Sequence, residues 1–194
     1  MSPARLEAFS DGVFAIIITI MVLGLRPPQG SDWSSLRTVA VPFLVYVLSF
    51  VYIGIYWNNH HHLLKNVDRV TAGIMWANLV LLFWLTLFPF ATDWLGQTHL
   101  ENAFALVPTV VYGAVLLAAG CAYYLLQTLI VRSTGGPDSP LGVALGRDWK
   151  GRLAPAAYGI AMLFAWVSTW ISAAIYVGVA LTWVVPDRRL ERVL

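Results

Sequence analysis

The chain has 194 residues, of which 59% are apolar and 11% charged, whereas an ordinary soluble domain carries about 25% charged residues. A mean hydropathy of +0.71 and several apolar stretches of about 20 residues, each long enough to cross a hydrocarbon core, exclude the soluble globular, disordered and fibrous classes. The formal net charge is only +2 and its basic residues lie between apolar segments, so there is no continuous surface for nucleic acid. The single cysteine, Cys121, excludes an intrachain disulfide and a CxxC redox or zinc site.

In chain order, hydropathy predicts spans over residues 6–25, 38–57, 70–90 and 103–131, followed by an apolar run over 153–185. The first has the position of a secretory signal. Glu7 and Asp11 interrupt it, and its exit, Gly24-Leu25-Arg26-Pro27-Pro28, has no small-x-small cleavage pattern, so it reads as a retained membrane helix. The last run is too long for one straight crossing of about 30 Å and slightly short for two. Charge decides between them, because cytoplasmic flanks accumulate Lys and Arg. With six spans one side receives Arg5, Lys65, Arg69, Arg132, Arg147, Lys150, Arg152, Arg188, Arg189 and Arg192, and the other only Arg26 and Arg37. With five spans the three C-terminal arginines cross over and the contrast is lost. The reading is an all-α polytopic protein of the cell membrane with six transmembrane helices, one domain over residues 1–194, and both termini cytoplasmic. The break in the last run is expected near Ser168-Thr169-Trp170. Residues 132–152 contain Gly135-Gly136-Pro137-Asp138-Ser139-Pro140, turn formers that read as a cytoplasmic loop.

The first helix carries the unusual residues. Arg5, Glu7, Ser10 and Asp11 stand at its head, where an ionisable group is expensive unless paired or wetted. Asp11 beside Ser10 suits a cap on backbone N–H groups as well as an ion pathway. Ile16, Ile20 and Leu23 are spaced i, i+4, i+7 and fall on one stripe, with Thr19 beside it. By spacing alone that stripe suits lipid or helix packing. Three consecutive histidines, His60, His61 and His62, suggest haem or metal, but neighbours on a helix point about 100° apart and cannot share one centre. A haem-binding redox protein and a proton pathway through Asp11 and the histidines are the alternative functions. Asn78, Gln127, Pro42, Pro89 and Pro108 read as interhelical hydrogen bonds and tolerated kinks. Trp33, Trp94, Trp149 and Trp170 read as interfacial anchors. A nucleophile elbow, a phosphate-binding Gly loop and paired catalytic carboxylates are all missing from the sequence, which argues against an enzyme.

The string Arg5-Leu6-Glu7-Ala8-Phe9-Ser10-Asp11 is an R-x-x-x-F-S-D motif, and it resembles the signature of the lysosomal potassium channel family, transmembrane protein one-seventy-five, with its bacterial relatives. The likeness continues through residues 12–23, Tyr56-Trp57-Asn58-Asn59-His60-His61 and Val185-Pro186-Asp187-Arg188-Arg189. The resemblance implies a potassium-permeable channel in a lipid bilayer, assembled as a homotetramer with the first helix of each subunit lining a central pore. It implies a gate of apolar rings at Ile16, Ile20 and Leu23, with Ile16 narrowest, and a selectivity role for the Thr19 hydroxyl. It also implies a structural polar network of Arg5, Phe9, Ser10 and Asp11 with Trp57, Asn58 and His61, with His60 and His62 as the alternative histidines. No cofactor is expected beyond the permeant potassium ion. The sequence has no TVGYG-like segment, so modest selectivity is expected.

Overall fold

The computed structural model describes residues 2–100, 103–146 and 149–184. The C-terminal part of the resemblance, residues 185–189, lies outside the described residues, as do Arg147, Arg188, Arg189 and Arg192 of the charge comparison. Among the described residues the chain forms eight α-helices: α1 (Pro3–Leu23), α2 (Arg37–Leu64), α3 (Ala72–Thr86), α4 (Phe88–Gln97), α5 (Leu106–Ser133), α6 (Pro140–Leu145), α7 (Trp149–Phe164) and α8 (Thr169–Val184). Four helical segments are long and apolar enough to cross a membrane: Pro3–Leu23, Trp33–Leu64, Ala72–Gln97 and Leu106–Ser133.

Local chemistry sets most of the boundaries. Pro3 opens α1, where its missing N–H would be unpaired in any case, and the chain leaves the helix at Gly24, ahead of Pro27 and Pro28. The Thr71 hydroxyl caps α3 by accepting from the Ile74 N–H at 3.3 Å, and the Ser139 hydroxyl caps α6 by accepting from the Gly142 N–H at 3.0 Å. The third span is divided at Leu87, just before Pro89. Proline removes a helical hydrogen bond there, and the Leu87 N–H donates to the nearer Trp84 carbonyl at 3.2 Å, so α4 continues α3 after a local tightening.

Several boundaries differ from the sequence reading, and α4 runs on to Gln97 where the third span was expected to end at residue 90. Helix α2 runs on to Leu64 rather than ending at Trp57, which places all three histidines inside the helix. Residues 103–104 are not helical: they form a strand that pairs antiparallel with His99–Leu100, and α5 begins at Leu106. The loop after α5 contains the six-residue α6. It can turn back because Gly135 and Gly136 adopt φ of +109° and +84°, values that side-chain-bearing residues rarely reach. The last apolar run is broken at residues 165–168, between α7 and α8, with 16 residues in each helix. The Ser172 hydroxyl donates to the Ala161 carbonyl at 2.7 Å and ties the two together.

The core lies where α2, α4, α5 and α8 meet, around Tyr52, Phe88, Tyr112 and Tyr176. Lipid cannot pair a hydroxyl, so these tyrosines bond across helices. Tyr52 donates to the Tyr176 carbonyl at 2.6 Å and Tyr176 donates to the Thr109 carbonyl at 3.1 Å. Thr92 donates to Ser49 at 2.7 Å, and Ser49 and Tyr112 share a hydrogen bond of 2.9 Å. Helix α5 approaches α7 and α8 closely at Gly113, where a β-carbon would collide with the Tyr176 hydroxyl and stand 2.8 Å from Met162 Cγ. Gly113→Ala is therefore expected to destabilise the protein by about 1–3 kcal/mol, read as a lower unfolding midpoint in detergent. An unchanged midpoint would mean that α5 and α8 do not pack this closely.

Candidate functional site

Helix α1 is two-faced in a way its composition does not reveal. One face is buried by Leu6, Ser10, Phe14, Ile17 and Met21, at spacings that return to the same side every three or four residues, and it packs against α2, α3 and α4. The other face is open along its length. Ile16 is 57% exposed, Ile20 47% and Leu23 78%, and Thr19 is exposed among them. The Thr19 hydroxyl donates to the Ala15 and Ile16 carbonyls at 3.0 and 2.9 Å, the back-bonded form usual for a threonine in a span. Its lone pairs remain directed away from the backbone. One helix thus presents an uninterrupted apolar stripe with one hydroxyl beside it.

At the head of α1 the polar residues are held by two antiparallel rungs. Asp11 Oδ1 accepts from Trp57 Nε1 at 3.0 Å, and Glu7 Oε1 lies 2.6 Å from His61 Nδ1. The pairing follows from geometry: Glu7 and Asp11 are four apart on α1, Trp57 and His61 four apart on α2, and two antiparallel helices match the first of one pair with the last of the other. The Trp57 and His61 rings stack with centroids 6.4 Å apart and planes 22° apart, so each rung supports the next.

Behind this ladder lies a second, fully buried set. Ser10 donates to the Leu6 carbonyl at 2.8 Å and accepts from Asn78 Nδ2 at 3.0 Å. Asn78 Oδ1 in turn lies 2.7 Å from His60 Nε2. These three side chains join α1, α3 and α2 at a point with no solvent access, and Phe14 packs its ring against that of His60 at 5.5 Å. The other ring nitrogen, His60 Nδ1, has no hydrogen-bond partner among the described residues. A buried amide, hydroxyl and imidazole hold each other's polar atoms where lipid and water cannot.

The structure therefore brings Asp11, Trp57 and His61 of the sequence-derived network to the α1–α2 contact and places Ser10 behind it, against Asn78 of α3. Arg5, Phe9 and Asn58 are exposed, and none of their side chains has a hydrogen bond or ion pair among the described residues. Sequence reasoning did not place Glu7 and Asn78 in the network, and it held His60 only as an alternative to His61. Glu7 could have been found from its four-residue spacing to Asp11 set against that of Trp57 to His61. Asn78 carried only the signal of a polar residue inside a span. Of the aromatic anchors, Trp33 is 89% exposed, Trp94 packs on Phe90 at 5.6 Å and Trp170 on Phe104 at 5.1 Å; the Trp149 side chain lies outside the described residues. Among the described residues no three His, Cys, Asp or Glu side chains gather as a metal set.

Residues 5–89, which hold both the α1 stripe and the ladder, match the family model described as endosomal/lysosomal potassium channel TMEM175. A potassium channel of Chryseobacterium sp. is 46% identical over 194 residues, covering 100% of this chain and 98% of that protein. This chain belongs to the TMEM175 channel family. The crystal structure of a lysosomal potassium-selective channel TMEM175 homolog from Chamaesiphon minutus superposes with a TM-score of 0.79 at 29% identity, covering 94% of this chain and 96% of that one. The bovine endosomal/lysosomal proton channel TMEM175 is 26% identical over 184 residues, 88% of this chain and 38% of that longer protein. The family is one of ion channels rather than enzymes, and the helices here are those of a multi-pass membrane protein.

Asp11→Ala removes the acceptor of the Trp57 indole and leaves one rung of the ladder. Because the pair is partly exposed, the expected loss is about 1 kcal/mol, visible as a lower yield of folded, assembled protein on gel filtration. Wild-type yield and assembly would mean that the Glu7–His61 rung holds α1 alone.

Proposed function

We propose that four copies of this chain surround a central axis lined by α1 and conduct monovalent cations, potassium above sodium, across the cell membrane. The observation that supports this most directly is the exposed stripe of Ile16, Ile20 and Leu23 on a helix whose other face is pinned by two polar clusters. In this reading the four long helical segments are joined by α7 and α8 as the fifth and sixth spans, with both termini cytoplasmic. Self-association and the lipid bilayer are the only partners required, and the potassium ion is cargo rather than cofactor.

The chemistry follows from the side chains. Isoleucine has no atom that coordinates a cation, so a ring of Ile16 closes the pore by excluding water from a narrow apolar neck. Ile20 and Leu23 add further apolar rings on the far side. Thr19, its proton already donated to its own backbone, offers oxygen lone pairs that replace part of a passing ion's hydration shell. A single ring of hydroxyls discriminates weakly, hence modest selectivity. The test is potassium flux into liposomes holding the purified protein, run beside a sodium gradient: potassium flux in excess of sodium flux supports the reading, and no cation flux through folded assemblies overturns it.

Proton conduction is the second reading. It is favoured by the carboxylate–imidazole contact of Glu7 and His61, one helical turn from Asp11, since such chains mark proton relays in membranes. A pH change in the liposome lumen under a proton gradient, without potassium flux, selects it over the first.

A further inference from the structure

On the opposite side of α2 from α1 lies a cavity walled by α2, α5, α7 and α8. It comprises about 490 Å³ of open space, mouth included, and Tyr52, Tyr56, Tyr123, Tyr158, Trp183 and Asn59 line it. Its inner part has room for only a few water molecules, so it fits a slender occupant. No charged side chain among the described residues lines it.

One polar group there is conspicuously unpaired. Tyr56 is only 9% exposed, and its hydroxyl, unlike those of Tyr52, Tyr112 and Tyr176, has no hydrogen bond among the described residues. That hydroxyl lies 3.7 Å from where a β-carbon on Gly120 would stand, and Gly120 itself lines the cavity. The oxygen is thus directed into the space, which Asn59 and Gln127 also line. A hydrocarbon chain alone would leave the hydroxyl unpaired, at a cost comparable to a lost hydrogen bond. An anion would meet the negative faces of aromatic rings. A cation with N–H groups meets oxygen acceptors and π-faces together.

We infer that this cavity binds a primary alkylammonium ion, its head against Tyr56 and Asn59 and its short apolar tail among the tyrosines. The position suits an interfacial ligand, because Asn59, Trp183 and the start of α7 all lie at the end of the bundle where α1 begins. The ammonium can therefore come from an ethanolamine lipid headgroup or from a free amine. The site lies away from the α1 face and does not depend on how the pore conducts.

The experiment uses the purified full chain in nanodiscs of phosphatidylglycerol, titrated with n-butylammonium chloride against 1-pentanol, a neutral molecule of similar size, with binding read by ligand-observed NMR at constant ionic strength. Butylammonium is expected to bind about tenfold more tightly than pentanol. Tyr56→Phe keeps the ring and is expected to weaken butylammonium about fivefold; Gly120→Val fills the cavity and is expected to abolish binding. Nanodiscs containing phosphatidylethanolamine then separate the sources: competition with butylammonium identifies the lipid headgroup, and unchanged butylammonium binding identifies a free amine. Equal binding of pentanol and butylammonium overturns the ammonium assignment. Binding unchanged by both substitutions overturns the site.

Discussion

Ile16→Asn is expected to raise potassium flux through reconstituted protein, and by more than any other single substitution on α1. Ile16 is more than half exposed on a helix whose remaining side is buried, so its side chain faces whatever α1 lines. If that is a water-excluding neck, the barrier to a cation is the loss of its hydration shell, and four amide side chains restore part of that shell. Lowering the barrier by about 1.4 kcal/mol raises the rate about tenfold. The substitution points away from the packed face, so assembly should be unaffected and gel filtration serves as the control. Unchanged flux through intact assemblies would remove Ile16 from the gate and leave the stripe as a lipid-facing or packing surface.

Asn78→Leu is expected to be the most destabilising of the polar substitutions. The amide spans two partners, donating to Ser10 at 3.0 Å and holding His60 at 2.7 Å, and all three residues are fully buried. A single interhelical hydrogen bond in a membrane averages only about 0.6 kcal/mol, so the lost bonds themselves are a small part of the effect. The larger part is the imidazole left behind. His60 Nδ1 already lacks a partner among the described residues, and the substitution strips Nε2 as well, leaving a buried ring with neither nitrogen paired to them. That raises the expected cost to about 2–3 kcal/mol. The unfolding midpoint in detergent measures it. His60→Phe in the same background should recover part of the loss, because it removes the unpaired nitrogens while keeping a ring against Phe14. A double variant no more stable than Asn78→Leu would show that the imidazole is not the source of the cost.

The two predictions rest on residues that differ in how legible they are. The head of α1 was visible in the sequence because Arg5, Ser10 and Asp11 are polar where a span should be apolar, and because Trp57 and His61 stand at the far end of the next span. The buried triad was not, since Ser10, His60 and Asn78 are distant in the chain and no spacing ties the three together. The stripe was visible as a spacing but carried no information. Nearly every residue near Ile16 is apolar, so periodicity could not distinguish its neighbours Ile17 and Ile18 from Ile16 itself. In the fold Ile17 is fully buried and Ile16 is open, a distinction made by α2, α3 and α4 covering one side of the helix.

Composition, span length and the distribution of Lys and Arg by themselves determined that this chain is a helical membrane protein, where its first four apolar segments lie and that its last apolar run is broken near Ser168. They could do so because burying backbone polar groups in lipid demands helices of a certain length, and that requirement is written locally. The tertiary structure alone decided which side of α1 is open, that α2 continues through its histidines, and that Glu7 meets His61 while His60 meets Asn78. Those outcomes depend on which helix packs beside which. In an all-apolar chain the hydrophobic pattern carries almost no information about facing, because lipid and protein interior are alike to an aliphatic side chain. Only the few polar groups, which must find partners, and the close contacts of the packed helices fix the rotation of each span.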